Sequence, residues 1–507
     1  MIFLKKHNTF FWIVFLLLFV VNLWIAAQIP YGVDDWTWGG SPGIPRLLSA
    51  ELNSRYAGNL TEILVARFPW FKVFLMGLVF TLIPAEAAAL ALEADSREKP
   101  ASTDAFLICL GAALMLTLPL DVWAQSYGWV AGFSNFLVSG LLLCFYHRVL
   151  LRRIFRGPAF TRGLLPCLGL FLFGFVMQLY LENVAVYAAA VSAAVLLGLL
   201  LRRQRPGMAF LALALGNLIG LVLMFSNNLY SVLLQNGEAL DGYRQLTFSF
   251  EDGPVRILLT LLRRFLGDFA GKLWGNNLVF CLVISGMLFL ASLRKKKTLL
   301  LVLNALYLIY FPANRFWGPF PLPESFPIHF LSGIAEPAFF LLTLVQIGFL
   351  WRNDRKWRDI LWASWISVPL LILPLLPINS AGPRCYATTG VLLMQFCLLL
   401  ALPLWMESRP NLRRFGLGLV VIGMLAVYLP RCLVYADIGR TKRERDHLIS
   451  QAREGTQQRI VFPAYPHREY LWITDSRDES DLAEIRDFYH LPEHVELVFT
   501  GKMPWDT

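Results

Sequence analysis

The stretch Tyr31-Gly32-Val33-Asp34-Asp35-Trp36-Thr37-Trp38-Gly39 sets two adjacent carboxylates among aromatic side chains. A carboxylate there can take the proton from an attacking hydroxyl as a general base, or help to hold a cation. The structural alternative is that Asp35 caps the next turn while Asp34 is solvated. Further polar groups fall where they can join the pair. They are Arg55 and Tyr56 in Asn53-Ser54-Arg55-Tyr56, then Tyr127 and Trp129 after Asp121, Gln125 and Ser126. Glu182 and Asn183 follow Gln178 and Tyr180 at a tight turn, and Asn228 and Tyr230 lie in Ser226-Asn227-Asn228-Leu229-Tyr230. Glu182 stands near a membrane boundary, where an ionisable group is costly; a helix-terminal charge paired with an Arg would also account for it. In Ala381-Gly382-Pro383-Arg384-Cys385-Tyr386, the guanidinium can grip a phosphate as a planar fork or simply reach to the interface.

These groups need elements to hold them at one level, and composition says what those elements are. Of 507 residues, 57% are hydrophobic and 16% charged, against about 25% charged in soluble domains. The mean hydropathy is +0.55, so the apolar excess must face lipid. The seven cysteines sit mostly in apolar runs and imply no disulfide framework. A bilayer core of about 30 Å takes about 20 apolar residues per helix. Runs of that kind begin near Phe10, Phe71, Ala105, Phe133, Gly163, Val184, Met208, Leu278, Thr298, Ile334, Ile360, Thr388 and Phe415. The expected fold is therefore an all-α polytopic membrane protein with about 13 transmembrane helices. Leu258–Phe269 would be a fourteenth, but Arg263 and Arg264 argue against it. The first run, preceded by Lys5 and Lys6, reads as a retained anchor because no small-residue cleavage site follows it.

Basic clusters at Lys5/Lys6, Arg152/Arg153/Arg156, Arg202/Arg203/Arg205, Arg294–Lys297, Arg352/Arg355/Lys356/Arg358 and Arg409/Arg413/Arg414 fall on one side if the N-terminus is cytoplasmic. The formal charge of +10 is then mostly a topology signal, and a nucleic-acid partner has little left to explain. The opposite, outer side carries the long loops 28–69, 226–277 and 312–333, where a functional site is expected. Pro45–Phe68 and Val255–Leu273 repeat apolar residues at helical spacing with charges between, as interfacial amphipathic helices do. The transmembrane domain is expected over 1–432 and a small α/β soluble domain over 433–507. That tail reads as a charged helix Gly439–Arg453, strands Arg459–Ala464 and Glu469–Thr474, a helix Asp481–Tyr489 entered at Ser480, and a strand Val495–Thr500.

Asp34-Asp35-Trp36 followed about twenty residues on by Asn53-Ser54-Arg55-Tyr56 resembles the opening of bacterial polytopic glycosyltransferases of the GT-C class, akin to the Gtr-type glucosyltransferases that decorate O-antigen. Later landmarks are similar: a Trp-Val-x-Gly-x-x-Asn-like patch at Trp129–Asn135, the Glu182-Asn183 turn, Ser226–Tyr230, and Pro383-Arg384-x-Tyr386. Trp36 departs from the Tyr or Leu such families often have after the Asp pair. The resemblance implies a GT-C-like fold and transfer of a sugar from a polyprenyl-phosphate-linked donor to an envelope glycan or lipid acceptor, as in lipopolysaccharide modification. It places the chemistry on the outer, periplasmic or extracellular, face of the bacterial cytoplasmic (inner) membrane, with Asp34 or Asp35 as base. It makes Asn135 a site residue and Arg384, Arg55 or Arg315 the cation for the leaving phosphate.

No cofactor is certain. Mg or Mn could bind Asp34, Asp35, Asp121 and Glu182 through hard oxygen ligands, and no His/Cys spacing suits zinc. An O-antigen ligase or polymerase would lean on Arg and His in large loops. A transporter or flippase would carry ionisable groups at mid-membrane and near-symmetric halves; the mid-span segments read as largely free of such groups.

Overall fold

The computed structural model describes residues 9–50, 53–156, 163–238, 244–316, 328–379 and 381–501, without the side chains of 155–156 and 328–333. Lys5, Lys6, Arg156 beyond its backbone, and much of the expected loop 312–333 lie outside the described residues. The chain is mostly helical. Among the described residues nine helices are long and apolar enough to cross a membrane, and up to eleven if each of two bent pairs forms one span. Each of the thirteen apolar runs falls on a helix. Helix length, however, supports nine to eleven spans, because Leu164–Gln178 and Ile334–Leu350 are apolar but shorter.

Ala387–Met406 forms the centre of the bundle. Every residue from Ala387 through Trp405 is buried, as expected of a helix apolar on all sides. It packs against Pro69–Ala94, Ser102–Met115, Leu278–Arg294 and Arg355–Ile372. Ser102–Met115 stops early. Pro119 follows at once, and Leu120–Ser126 turns by 94° from the first helix, because proline removes a donor and disfavours helix in the residue before it. The bend lays Leu120–Ser126 across the end of the bundle that carries the longer loops. The helix beginning at Val130 then contains a π-helical turn, Phe133–Leu137, a local widening frequent at functional sites.

Two membrane-level expectations change. Pro45–Phe68 is not one interfacial helix but two, Gly43–Ser49 and Tyr56–Arg67. The first ends at Ala50 in the left-handed region, and Asn53 accepts the Arg55 backbone N–H at 2.9 Å to start the second. Tyr56–Arg67 turns Gly58, Asn59 and Glu62 inward and leaves Leu60 and Leu64 exposed, the reverse of a helix that floats with its charges in water. Pro254–Arg264 has no buried residue, in keeping with a surface position. Nor are the spans free of ionisable groups. The fully buried Glu86 meets Arg148 at 2.7 Å, and Glu336 is 3% exposed.

Pro410–Arg453 is one helix of 44 residues, about 66 Å long and twice the thickness of a bilayer core. The charged helix expected at Gly439–Arg453 is thus its far half, and it delivers the terminal segment to the loop-rich end. There, strands Arg459–Phe462 and Glu496–Phe499 pair in parallel, Arg459 opposite Glu496 and Phe462 opposite Phe499. Glu479–Tyr489 is the crossover, capped by Asp478 rather than Ser480. The expected strand Glu469–Thr474 is absent. Arg468–Tyr470 makes a single tight turn, and Ile473 spends its carbonyl on the Val33 N–H instead of on a ladder. The unit does not stand apart. Trp36 of the first loop belongs to its apolar core, while Tyr465 and Leu471 belong to the core of the bundle.

Candidate functional site

The two aspartates divide their roles through helical geometry. They sit on the short helix Val33–Gly39, where neighbours point about 100° apart. Asp35 is fully buried. One oxygen accepts the Gly32 N–H at 2.8 Å and the other the Ala131 N–H at 2.8 Å. It therefore caps its own helix and also the helix beginning at Val130, whose first N–H groups have no partner within the helix. Burial pushes its carboxyl up to about 8, against the pull of these two N–H donors. Since that pKa is raised above the unfolded value, the stabilisation is full at acid pH and is lost as pH rises towards 8. Thermal stability should fall as pH rises from about 4 towards 8, and Asp35→Asn should flatten that slope. A slope unchanged in the variant would assign the pH dependence elsewhere.

Asp34 points the other way and is exposed. Protein still crowds it enough to raise its pKa, desolvation being the largest cause. Arg384 and then Arg55 pull the pKa back, while Glu484 and Asp481 of the crossover helix push it up. An exposed carboxylate under the influence of two guanidinium charges thus draws on the first loop, the turn before Ala387–Met406 and the residue that opens the helix Tyr56–Arg67.

Glu62 is the residue that sequence reasoning missed as part of the site. It is 1% exposed, and among the described residues no donor reaches its Oε1. Its pKa is raised well above the ordinary value by burial, then by Asp34 and Asp35. The sequence does carry the stripe Gly58, Asn59, Glu62 and Ala66 opposite Leu60 and Leu64, but helical spacing alone does not say which side faces inward.

Arg55 grips Glu182 with two nitrogens, Nε at 3.0 Å and Nη2 at 2.8 Å from Oε2, and the Tyr230 hydroxyl donates to Glu182 Oε1 at 2.9 Å. This ties three chain segments together, and Glu182 also opens the helix Glu182–Leu201, where a negative charge is favourable. Arg384 lies 5.5 Å from the Trp129 ring centre, and Trp129 faces Trp472 at 6.3 Å. Asn135 donates to Ala131 O at 3.1 Å and turns its Oδ1 towards Gly58. A Cβ at Gly58 would stand 2.1 Å from that oxygen, so only glycine permits the approach.

Other expected site residues are not gathered here. Tyr127 is buried among Phe80, Trp123 and Phe133. Asn183 donates to Leu371 O at 3.2 Å, a packing role. Tyr386 is buried and faces Phe269. Asn228 is exposed and bonded to Ser231. Arg315 is exposed at the end of Thr298–Phe316, and among the described residues no contact links it to Asp34. Tyr56 is half-buried at the start of its helix. Asp121 is exposed and turns back to the Val122 N–H. Among the described residues no three His, Cys, Asp or Glu side chains gather as a metal-binding set.

No protein-family model matches this chain, and neither does any curated protein or solved structure. The structure is that of a mostly helical protein with nine to eleven helices, among the described residues, long and apolar enough to cross a bilayer, and with charged and polar side chains grouped around Asp34, Arg55 and Glu182.

Proposed function

We propose that the chain is a GT-C-type glycosyltransferase of the bacterial cytoplasmic membrane, moving a sugar from a polyprenyl-phosphate-linked donor to an envelope glycan or lipid. The observation that carries this reading is Asp34, an exposed carboxylate whose ionised form is favoured by the charges of Arg384 and Arg55. In the step proposed, Asp34 takes the proton of the acceptor hydroxyl, and the oxygen forms a bond to the anomeric carbon. The bond from that carbon to the phosphate oxygen breaks, and its electron pair leaves with the polyprenyl phosphate. Arg384 stabilises the developing phosphate charge. Arg55 has its fork engaged by Glu182, and among the described residues no hydrogen bond or ion pair links Arg315 to Asp34.

Purified full-length protein should transfer sugar from a panel of polyprenyl-phosphate sugars to an isolated envelope glycan or lipid fraction, and should not use nucleotide sugars directly. Transfer from nucleotide sugars alone, or from none of the panel, would overturn the reading.

A further inference from the structure

A cavity of about 800 Å³ lies between the first loop, the start of Pro69–Ala94 and the terminal segment. Asp34 does not line it. Its floor is the start of Pro69–Ala94 and the end of the first span, and its far wall is the projecting half of Pro410–Arg453 with the end of the crossover helix. Arg67, Lys72, Lys442 and Arg453 face it, against Asp446 and Asp487. Lys442 and Asp446 pair at 2.7 Å, and Asp487 accepts the Ser41 N–H at 2.6 Å. Among the described residues Arg67 and Arg453 bond only to neutral backbone carbonyls of Gly39, Gly40 and Tyr489, which leaves cations in excess. The Lys72 ammonium is held in the wall, 2% exposed, donating to Ile29 O at 2.6 Å and lying 4.4 Å from the Tyr31 ring centre.

We infer that this cavity binds the phosphate-bearing headgroup of an anionic bilayer lipid. The excess of cations fits a phosphate, and the volume fits a headgroup-sized ligand. Position favours a lipid over a free anion. The cavity opens where two apolar helices end, and its rim is continuous with exposed apolar rings, Phe68 at 46% and Trp70 at 71%, of the kind that settle at a membrane boundary. Lipid tails would lie along the spans and the headgroup would rise between Arg67, Lys442 and Arg453. This site is independent of the transfer chemistry, since none of the groups acting on Asp34 lines it.

The test is native mass spectrometry of the full chain in non-ionic detergent, titrated with phosphatidylglycerol or phosphatidylcholine, with inorganic phosphate in a separate arm. Wild type should prefer phosphatidylglycerol, and the double variant Lys442→Gln/Arg453→Gln should lose about tenfold or more of that affinity. Arg440→Gln, on the same helix but outside the cavity, should behave as wild type. Equal binding of the two lipids, an unaffected double variant, or inorganic phosphate binding as tightly as the lipid would overturn the proposal. Should the double variant misfold, a photoreactive phosphatidylglycerol bound to wild type decides the matter. Labels on 442–453 or 487–490 support the site, and labels confined to other helices refute it.

Discussion

Asp34→Asn should lower sugar transfer by about 10²- to 10⁴-fold, the usual contribution of a positioned general base, while the protein stays folded. The side chain is exposed, and among the described residues no hydrogen bond or ion pair depends on it, so the near-isosteric amide removes basicity and little else. The effect should sit in kcat more than in KM, because the proton moves in the transition state. Asp35→Asn is the matching control. One of its two backbone bonds is replaced by an N–H facing an N–H, at a cost of about 1–3 kcal/mol, so that variant should lose stability first. A steady-state assay beside a melting curve separates the two. Wild-type turnover in Asp34→Asn would remove the base from the site. The raised pKa of Asp34 adds a sign: transfer should rise with pH as the carboxyl ionises, and the limb should vanish in the variant.

Arg55→Ala should be the most destabilising single change in the site, by about 3 kcal/mol, since it removes the two-pronged partner of Glu182 and leaves that carboxylate to the charge of Arg244 and the Tyr230 hydroxyl. The pair is only partly open to water, at 21% and 17% side-chain exposure, so solvent screens part of the cost but not most of it. Burial opposes the Arg55 charge, yet Glu182 holds its pKa above the ordinary value. Arg55→Lys should recover part of the loss, because an ammonium keeps the charge but not the two-pronged fork. Adding Glu182→Gln to Arg55→Ala should restore stability by about 1 kcal/mol or more through removal of the carboxylate charge. Melting curves of the three variants check this, and an Arg55→Ala protein as stable as wild type would reduce the pair to a surface contact.

Much of the architecture follows from local pattern. Apolar runs of about twenty residues mark helices because a chain in lipid must satisfy its backbone internally, and each of the thirteen runs is helical. Their lengths were less legible. The bend at Pro119 has a local cause in the proline, but its 94° angle and the short helix Leu164–Gln178 were not legible from apolar run length. In the tail, the pairing strands and crossover helix were readable within a few residues. Glu469–Thr474 alternates like a strand, yet no partner edge is offered to it, and Ile473 bonds to the first loop.

Within the site, the sequence by itself determined which chemistries were available: two carboxylates past the first anchor, guanidinium groups at Arg55 and Arg384, and aromatic rings such as Trp129 to shape it. It could not divide Asp34 from Asp35, because both residue types suit either role. That division needs the Ala131 N–H, 96 residues away, to occupy one carboxylate and leave the other open. Nor could it admit Glu62 or set Tyr127 aside, since a helical stripe does not say which face meets the bundle. Only tertiary packing decided these points, for a physical reason. Accessibility, charge pairing and pKa are properties of the surroundings a side chain acquires, and here those surroundings come from segments far apart in the chain.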